Sequence, residues 1–132
     1  LVTGAFGALG MRITQLLVER GAKHLVLLSR SGATTEHTKS VLESFKNNGV
    51  NIKILKLDIS QNKIDQLNIS VPLKGVIHTA GVLDDRLLSN QTESSFQKVL
   101  APKIQGTWNL HNLTKNQDLD FFVCFSSMTS VV

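Results

Sequence analysis

The residues with evident chemistry sit at the ends of apolar runs. Thr3-Gly4-Ala5-Phe6-Gly7-Ala8-Leu9-Gly10 spaces its glycines three apart, between a short apolar run and an amphipathic stretch. Glycines so placed permit a tight turn, a close backbone approach to a pyrophosphate, and close helix–sheet packing. A helix starting there offers free N–H groups and its positive dipole end to phosphates. The spacing is G-x-x-G-x-x-G rather than G-x-G-x-x-G, so a turn that holds no ligand is the alternative reading. Ser29-Arg30-Ser31 ends the second apolar run without an acid. An acid at that place binds a ribose 2′-hydroxyl, whereas an arginine accommodates a 2′-phosphate. Arg30 therefore argues for NADP(H), with a solvated surface arginine as the alternative. Asp58 ends the third run, where it accepts from an adenine amino group or simply opens a turn. Ala80 and Gly81 follow the fourth run, and residues that small let a ribose lie against the backbone.

These groups need a scaffold whose strand ends converge. Short apolar runs alternate with amphipathic stretches, the βαβ pattern of a parallel sheet covered on both faces. Leu1 to Thr3 reads as the stump of a first strand, and Ala8 to Arg20 as a helix with Leu9, Ile13, Leu16 and Leu17 inward and Gly21 as its C-terminal cap. His24 to Ser29 is a second strand, apolar through its middle as buried parallel strands are. A helix anchored by Val41, Leu42 and Phe45 and ended by Gly49 follows, then a third strand over Val50 to Leu57. Gln61 to Asn68 fits a short helix, and Lys74 to His78 a fourth strand. Thr92 N-caps a helix through Leu100, and Pro102 opens a further helix with Ile104, Trp108, Leu110 and Leu113 inward. Asp120 to Phe125 is a fifth strand, with Cys124 in its core and Ser126-Ser127 at its end. His78 reads as a packed strand-end histidine with no part in proton transfer. The expected fold is α/β, a Rossmann-type doubly wound parallel sheet in strand order 3-2-1-4-5, with later strands missing.

Composition limits the partners. The chain has 132 residues, enough for one domain with a real core. Fourteen Lys and Arg against ten Asp and Glu give a net charge of +4, but the lysines are scattered (Lys39, Lys46, Lys53, Lys56, Lys63, Lys74). Nucleic-acid binding needs clustering, so no nucleic-acid partner is expected. No apolar run spans a bilayer, and no metal-ligand spacing joins His24, His37 and His111. One cysteine excludes an internal disulfide and fits a reducing, cytoplasmic setting. The chain has no tyrosine, so it cannot supply a phenol to any reaction.

Taken together, LVTGAFGALG, HLVLLSRSG, KLDIS, GVIHTAGVLDDRLLSNQT, KVLAPKIQGTWNLHNLT and DFFVCFSS resemble the ketoreductase (β-ketoacyl reductase) domain of type I modular polyketide synthases and fatty acid synthases. That domain is a member of the short-chain dehydrogenase/reductase superfamily. The match covers essentially the whole chain, in order. Ala5, Phe6 and Ala8 stand where relatives often have Gly, Thr and Gly, and Ser31 where a second arginine is common.

The resemblance implies NADPH-dependent reduction of a 3-oxoacyl thioester, carried on the phosphopantetheine of an acyl carrier protein, to the 3-hydroxyacyl thioester. It implies further synthase domains in the same polypeptide. It carries a catalytic lysine onto Lys103 and a catalytic serine onto Ser127, and cofactor contacts onto Gly4, Phe6, Gly7, Leu9, Gly10, Ser29, Arg30, Asp58, Ile59, Ala80 and Gly81. Without it, Lys103 is a solvated lysine at a helix N-terminus and Ser127 a strand-end turn residue. Leu83-Asp84-Asp85 resembles the LDD motif of B-type ketoreductases and implies a 3R alcohol. The family's proton-donating tyrosine is expected about thirteen residues after Ser127, with an asparagine four further on. Residues 1–132 are thus expected to be a partial NADP(H)-binding domain, truncated at both ends and inactive alone. Two other functions compete: a degenerate ketoreductase kept for architecture or carrier docking, and an extended-type sugar nucleotide dehydratase or epimerase, which only the glycine spacing favours.

Overall fold

A computed structural model of the chain describes residues 1–61, 69 and 72–127. The expected helix over Gln61 to Asn68 lies outside the described residues. The elements in chain order are β1 (Val2–Thr3), α1 (Ala8–Glu19), β2 (His24–Ser29), α2 (Glu36–Asn47), β3 (Asn51–Lys56), β4 (Gly75–His78), a 3-10 turn (Leu88–Asn90), α3 (Glu93–Thr114) and β5 (Phe121–Cys124).

The strands form one sheet in the order β3-β2-β1-β4-β5, every pair parallel. The expected order therefore holds. Alternation along β2 divides the core between the faces. Leu25 and Leu27 join Val2, Ala5, Leu42 and Val50 beneath α1 and α2. Val26 and Leu28 join Val76, Leu73, Ile59 and Leu110 beneath α3. Leu27 is wholly buried, and truncating such a leucine to alanine costs about 2–5 kcal/mol. The register aligns the strand ends: Thr3 lies beside Leu28 and His78, Ser29 beside Lys56, and His78 beside Cys124. Their carboxyl ends therefore share one edge, where ligands bind in open α/β sheets.

Helix ends follow local chemistry. Gly21 and Gly49 both have positive φ just past α1 and α2. Gly21 N donates to Val18 O and Ala22 N to Leu17 O, while Gly49 N donates to Lys46 O and Val50 N to Phe45 O. These are Schellman-type closures that satisfy the last carbonyls.

Four expectations are corrected. The stretch from Thr92 onward is one continuous helix, with Pro102 inside it rather than opening a second. A proline in a helix removes one N–H and crowds the preceding turn; a capping box at Thr92 and packing on the sheet carry the helix through it. Ile104 and Trp108 are not inward: they are 63% and 60% exposed. The face toward the sheet instead carries Gly106, Asn109, Leu110 and Thr114. On α1, Leu9 and Leu16 are exposed and the buried positions are Gly10 and Thr14, because small residues let that helix lie close to the sheet. Finally, Cys124 is exposed rather than core. β5 has β4 as its one neighbour among the described residues, and all four of its residues are exposed.

Candidate functional site

A cleft of about 450 Å³ opens along the carboxyl edge of the sheet, between the β1–α1 turn, the ends of β2, β3 and β4, and the middle of α3. Its lining includes Gly4, Phe6, Gly7, Ser29, Arg30, Asp58, Ile59, Ala80 and Gly81. Residues from Gly4 to Pro102 are thus brought to one surface. Leu9 and Gly10 are not in the lining. Gly10 is tucked behind the turn, where a Cβ would come within 2.3 Å of Gly4 O.

The β1–α1 turn is shaped by its own backbone before any ligand is considered. Gly4 has φ of +67°, and a Cβ there would lie 2.7 Å from Ala80 N. Only glycine fits. Gly7 N donates to Gly4 O at 3.0 Å, closing the turn. Gly7 then N-caps α1 without a side-chain hydrogen bond, and no acid stands in the helix's first turn. The first N–H groups of α1 therefore have no side-chain acceptor, at a helix end that favours anions.

Across the cleft, Ser29 Oγ accepts from Gly32 N at 2.8 Å, so the serine shapes the turn that carries Arg30. Arg30 is exposed. Asp58 Oδ1 accepts from the Ser60 amide at 2.9 Å and the Ser60 hydroxyl at 2.6 Å. Burial alone raises the Asp58 pKa, but the two Ser60 hydrogen bonds and the Arg30 charge together outweigh it and hold the carboxyl below its ordinary value. Asp58 thus organises its turn and also lines the cleft.

Lys103 and Ser127 are not in the lining, and neither are Leu83, Asp84 and Asp85. Leu83 and Lys103 directly follow the lining residues Val82 and Pro102 in the chain. Lys103 is half-buried in the middle of α3, not at a helix N-terminus, next to the lining residue Pro102. One turn on, Thr107 Oγ1 lies 3.9 Å from Cys124 Sγ. The crossover from β4 to β5 runs α3 antiparallel to the strands, which puts Lys103 about 6 Å beyond Thr107 toward the carboxyl edge. Ser127 follows β5 by three residues, past its carboxyl end.

In the LDD segment Leu83 and Asp85 are exposed, but Asp84 turns back. Its carboxylate accepts from Arg86 Nε at 2.7 Å, Arg86 Nη2 at 3.2 Å and Lys98 Nζ at 3.1 Å. The hydrogen bonds from Arg86 and then Lys98 hold the Asp84 carboxyl below its usual range. This ties the segment after β4 to α3. Lys98 itself lines the cleft. Sequence reasoning passed over Arg86 and Lys98, and only Arg86, two residues from Asp84, offered a local signal. Among the described residues no cluster of His, Cys, Asp or Glu could hold a metal, and no helix is long and apolar enough to cross a membrane.

The geometry has close counterparts. The partially reducing polyketide synthase men1 of Menisporopsis theobromae is 35% identical over 138 residues, covering 100% of this chain and 5% of that synthase. The highly reducing polyketide synthase Preu5 of Preussia isomera is 39% identical over 132 residues, covering 96% of this chain and 5% of that synthase. The chain thus spans a small part of each. A ketoreductase from the macrolactin assembly line superposes with a TM-score of 0.89 at 32% identity, over 98% of this chain and 28% of that one. An A-type ketoreductase of a modular polyketide synthase superposes with a TM-score of 0.87 at 34% identity, over 98% of this chain and 29% of that one. The model of the KR domain matches residues 1–132. With the parallel sheet and the cleft at its carboxyl edge, this assigns the chain to a family: it belongs to the KR domain family.

Proposed function

We propose that residues 1–132 form the cofactor-binding portion of a ketoreductase that reduces a 3-oxoacyl thioester, presented by an acyl carrier protein within a polyketide synthase, to the 3-hydroxyacyl thioester. The carrying observation is the convergence on one cleft of an α1 N-terminus without a side-chain cap, Arg30 and Asp58. The cleft suits a phosphorylated dinucleotide. The first amides of α1 suit a pyrophosphate, Arg30 a 2′-phosphate, Asp58 an adenine amino group, and Ala80 and Gly81 a ribose. NADPH bound there supplies the hydride.

The chain's own residues bind, orient and polarise. Phe6, Gly7 and Ile59 wall the cofactor cleft. Ser127 donates its hydroxyl to the ketone oxygen and stabilises the negative charge that develops there. The Lys103 ammonium lowers the pKa of a neighbouring phenol toward working pH, which prepares it as the proton donor. The chain has no tyrosine, so this reading takes that phenol from sequence outside residues 1–132. The Leu83-Asp84-Asp85 segment, stapled to α3, faces the approaching acyl chain, and the product is the B-type 3R alcohol. Other synthase domains lie in the same polypeptide, and the setting is the reducing cytoplasm that NADPH chemistry needs.

The test is NADPH oxidation by a complete domain carrying this chain, with a 3-oxoacyl thioester. Consumption of NADPH with a 3R product is expected. No turnover would leave the degenerate-module reading standing, and a 3S product would defeat the role of the LDD segment. Arg30→Asp is expected to move preference from NADPH toward NADH. An unchanged preference would remove Arg30 from 2′-phosphate recognition.

A further inference from the structure

His78 is a polar residue in the core that the chemistry above leaves unused. It is 3% exposed, and both of its ring nitrogens are partnered. Nδ1 meets the hydroxyl of Thr3 on β1. Nε2 lies 2.9 Å from the carbonyl oxygen of Pro102 on α3. A carbonyl only accepts, so Nε2 carries a hydrogen. In the neutral ring, the form that burial favours, Nδ1 is the acceptor and Thr3 donates to it. Burial, foremost, and the nearby Lys103 charge depress its pKa, against the opposing effect of the Pro102 hydrogen bond.

The place where this ring meets α3 is the weak turn of that helix. Pro102 has no N–H to give the Lys98 carbonyl, and its ring crowds that turn. One turn further, Gly106 lets α3 settle on the sheet: a Cβ there would lie 2.9 Å from Ile59 Cγ2 and 3.5 Å from His78 Nε2. The proline break and this small-residue contact thus lie one turn apart on α3, and the His78 ring reaches both. The residue directly after the clamped carbonyl is Lys103.

We propose that His78 is a positioning residue for Lys103. Through Nε2–H to the Pro102 carbonyl, it sets the height and rotation of the α3 turn that bears the ammonium, and Thr3 sets the ring. The inference rests on the reading of Lys103 given above. A small misplacement of a catalytic group costs on the order of 100-fold in rate, so the effect falls on kcat, whereas the cofactor cleft, built by other elements, keeps its affinity.

The experiment uses a complete domain with NADPH and a 3-oxoacyl thioester, and compares K103A, H78N and H78Q. The asparagine amide is too short to reach Pro102; the glutamine amide spans the distance and restores the donor. The expected result is a kcat loss of about 10- to 100-fold in H78N with the KM for NADPH unchanged, and recovery of most of it in H78Q. Amide hydrogen exchange around Lys103 to Gly106 should quicken in H78N and not in H78Q. Undiminished kcat in H78N beside an inactive K103A overturns the positioning of His78 alone; undiminished kcat in K103A fails the reading of Lys103. If H78N does not fold, the imidazole 15N shifts of the unsubstituted domain decide. A ring carrying hydrogen at Nε2 is expected, and a neutral ring protonated at Nδ1 alone overturns the proposal.

Discussion

The three α-helices of the described residues begin in different ways. α2 opens on Thr35, whose side chain accepts from Thr38 N, with Glu36 in the first turn. α3 opens on a full capping box, Thr92 with Ser95, followed by Glu93. Each satisfies its orphan donors with side chains and complements its dipole with an acid. α1 opens on Gly7, with neither a side-chain cap nor an acid. The first two ends are finished within the protein. The third leaves its first N–H groups without a side-chain acceptor, and its N-cap, Gly7, lines the cleft. Among the α-helices of the described residues, α1 alone lacks a side-chain cap, in a chain that caps the other two with threonine.

The comparison can be broken most severely at Gly4. Gly4→Val places a β-branched side chain at positive φ and into the backbone of Ala80. It is expected to cost about 3–5 kcal/mol in strain and overpacking, read as a fall in the chemical denaturation midpoint and loss of NADPH binding together. Gly7→Asp asks the sharper question. The backbone at Gly7 (φ −74°, ψ 166°) suits any residue, and a Cβ would lie no closer than 3.4 Å to Gly4 O. The new carboxylate caps α1 as Thr35 caps α2. Stability should hold or rise by a few tenths of a kcal/mol. NADPH affinity should fall about 10- to 100-fold, or about 1.4–2.8 kcal/mol. Affinity that survives the added cap would mean that this helix end holds no phosphate.

At a finished end the reverse is expected. Thr92→Ala should cost about 1 kcal/mol of stability, visible as a lower Tm, while the KM for NADPH stays put. A large change in that KM would join α3's N-terminus to the site and blur the contrast. The smallest effect concerns the imidazole that ties α3 to the sheet. Burial holds the His78 pKa below its ordinary 6.5, so at mildly acid pH the unfolded ring binds a proton that the native ring refuses. Stability should therefore be level above about 6.5 and decline as pH falls below it. Urea midpoints of the unsubstituted domain and of H78Q, measured across that range, isolate this contribution. Parallel curves would show that His78 does not titrate on unfolding.

Much of the site was legible because it depends on strand ends. His24–Ser29 could be bounded to the residue, since an apolar run between Gly21 and a Ser-Arg-Ser turn leaves little freedom. That boundary puts Arg30 at the carboxyl edge without further information. Helix faces were less legible. Ile104 and Trp108 look like core by type, yet Gly106 and Asn109 hold the buried positions of that helix. Close approach to the sheet selects a small residue, and Asn109 finds acceptors at Ile59 O and Gln61 O. Pro102 was misleading for a related reason: local rules put it at a helix start, but a capping box upstream and the His78 clamp hold the helix through it.

By itself the sequence determined the element types, the glycine-spaced turn between strand and helix, the absence of an acid beside Arg30, and the family of the chain. These depend on residue type and on neighbours a few positions away, where backbone sterics and periodicity act. Only the tertiary structure decided that Asp84 is spent on Arg86 and Lys98, that Cys124 is exposed, that Lys103 lies mid-helix, and that His78 reaches across from β4 to hold the turn beside it. Those facts come from side chains that meet across the fold, and no spacing along the chain encodes such a meeting.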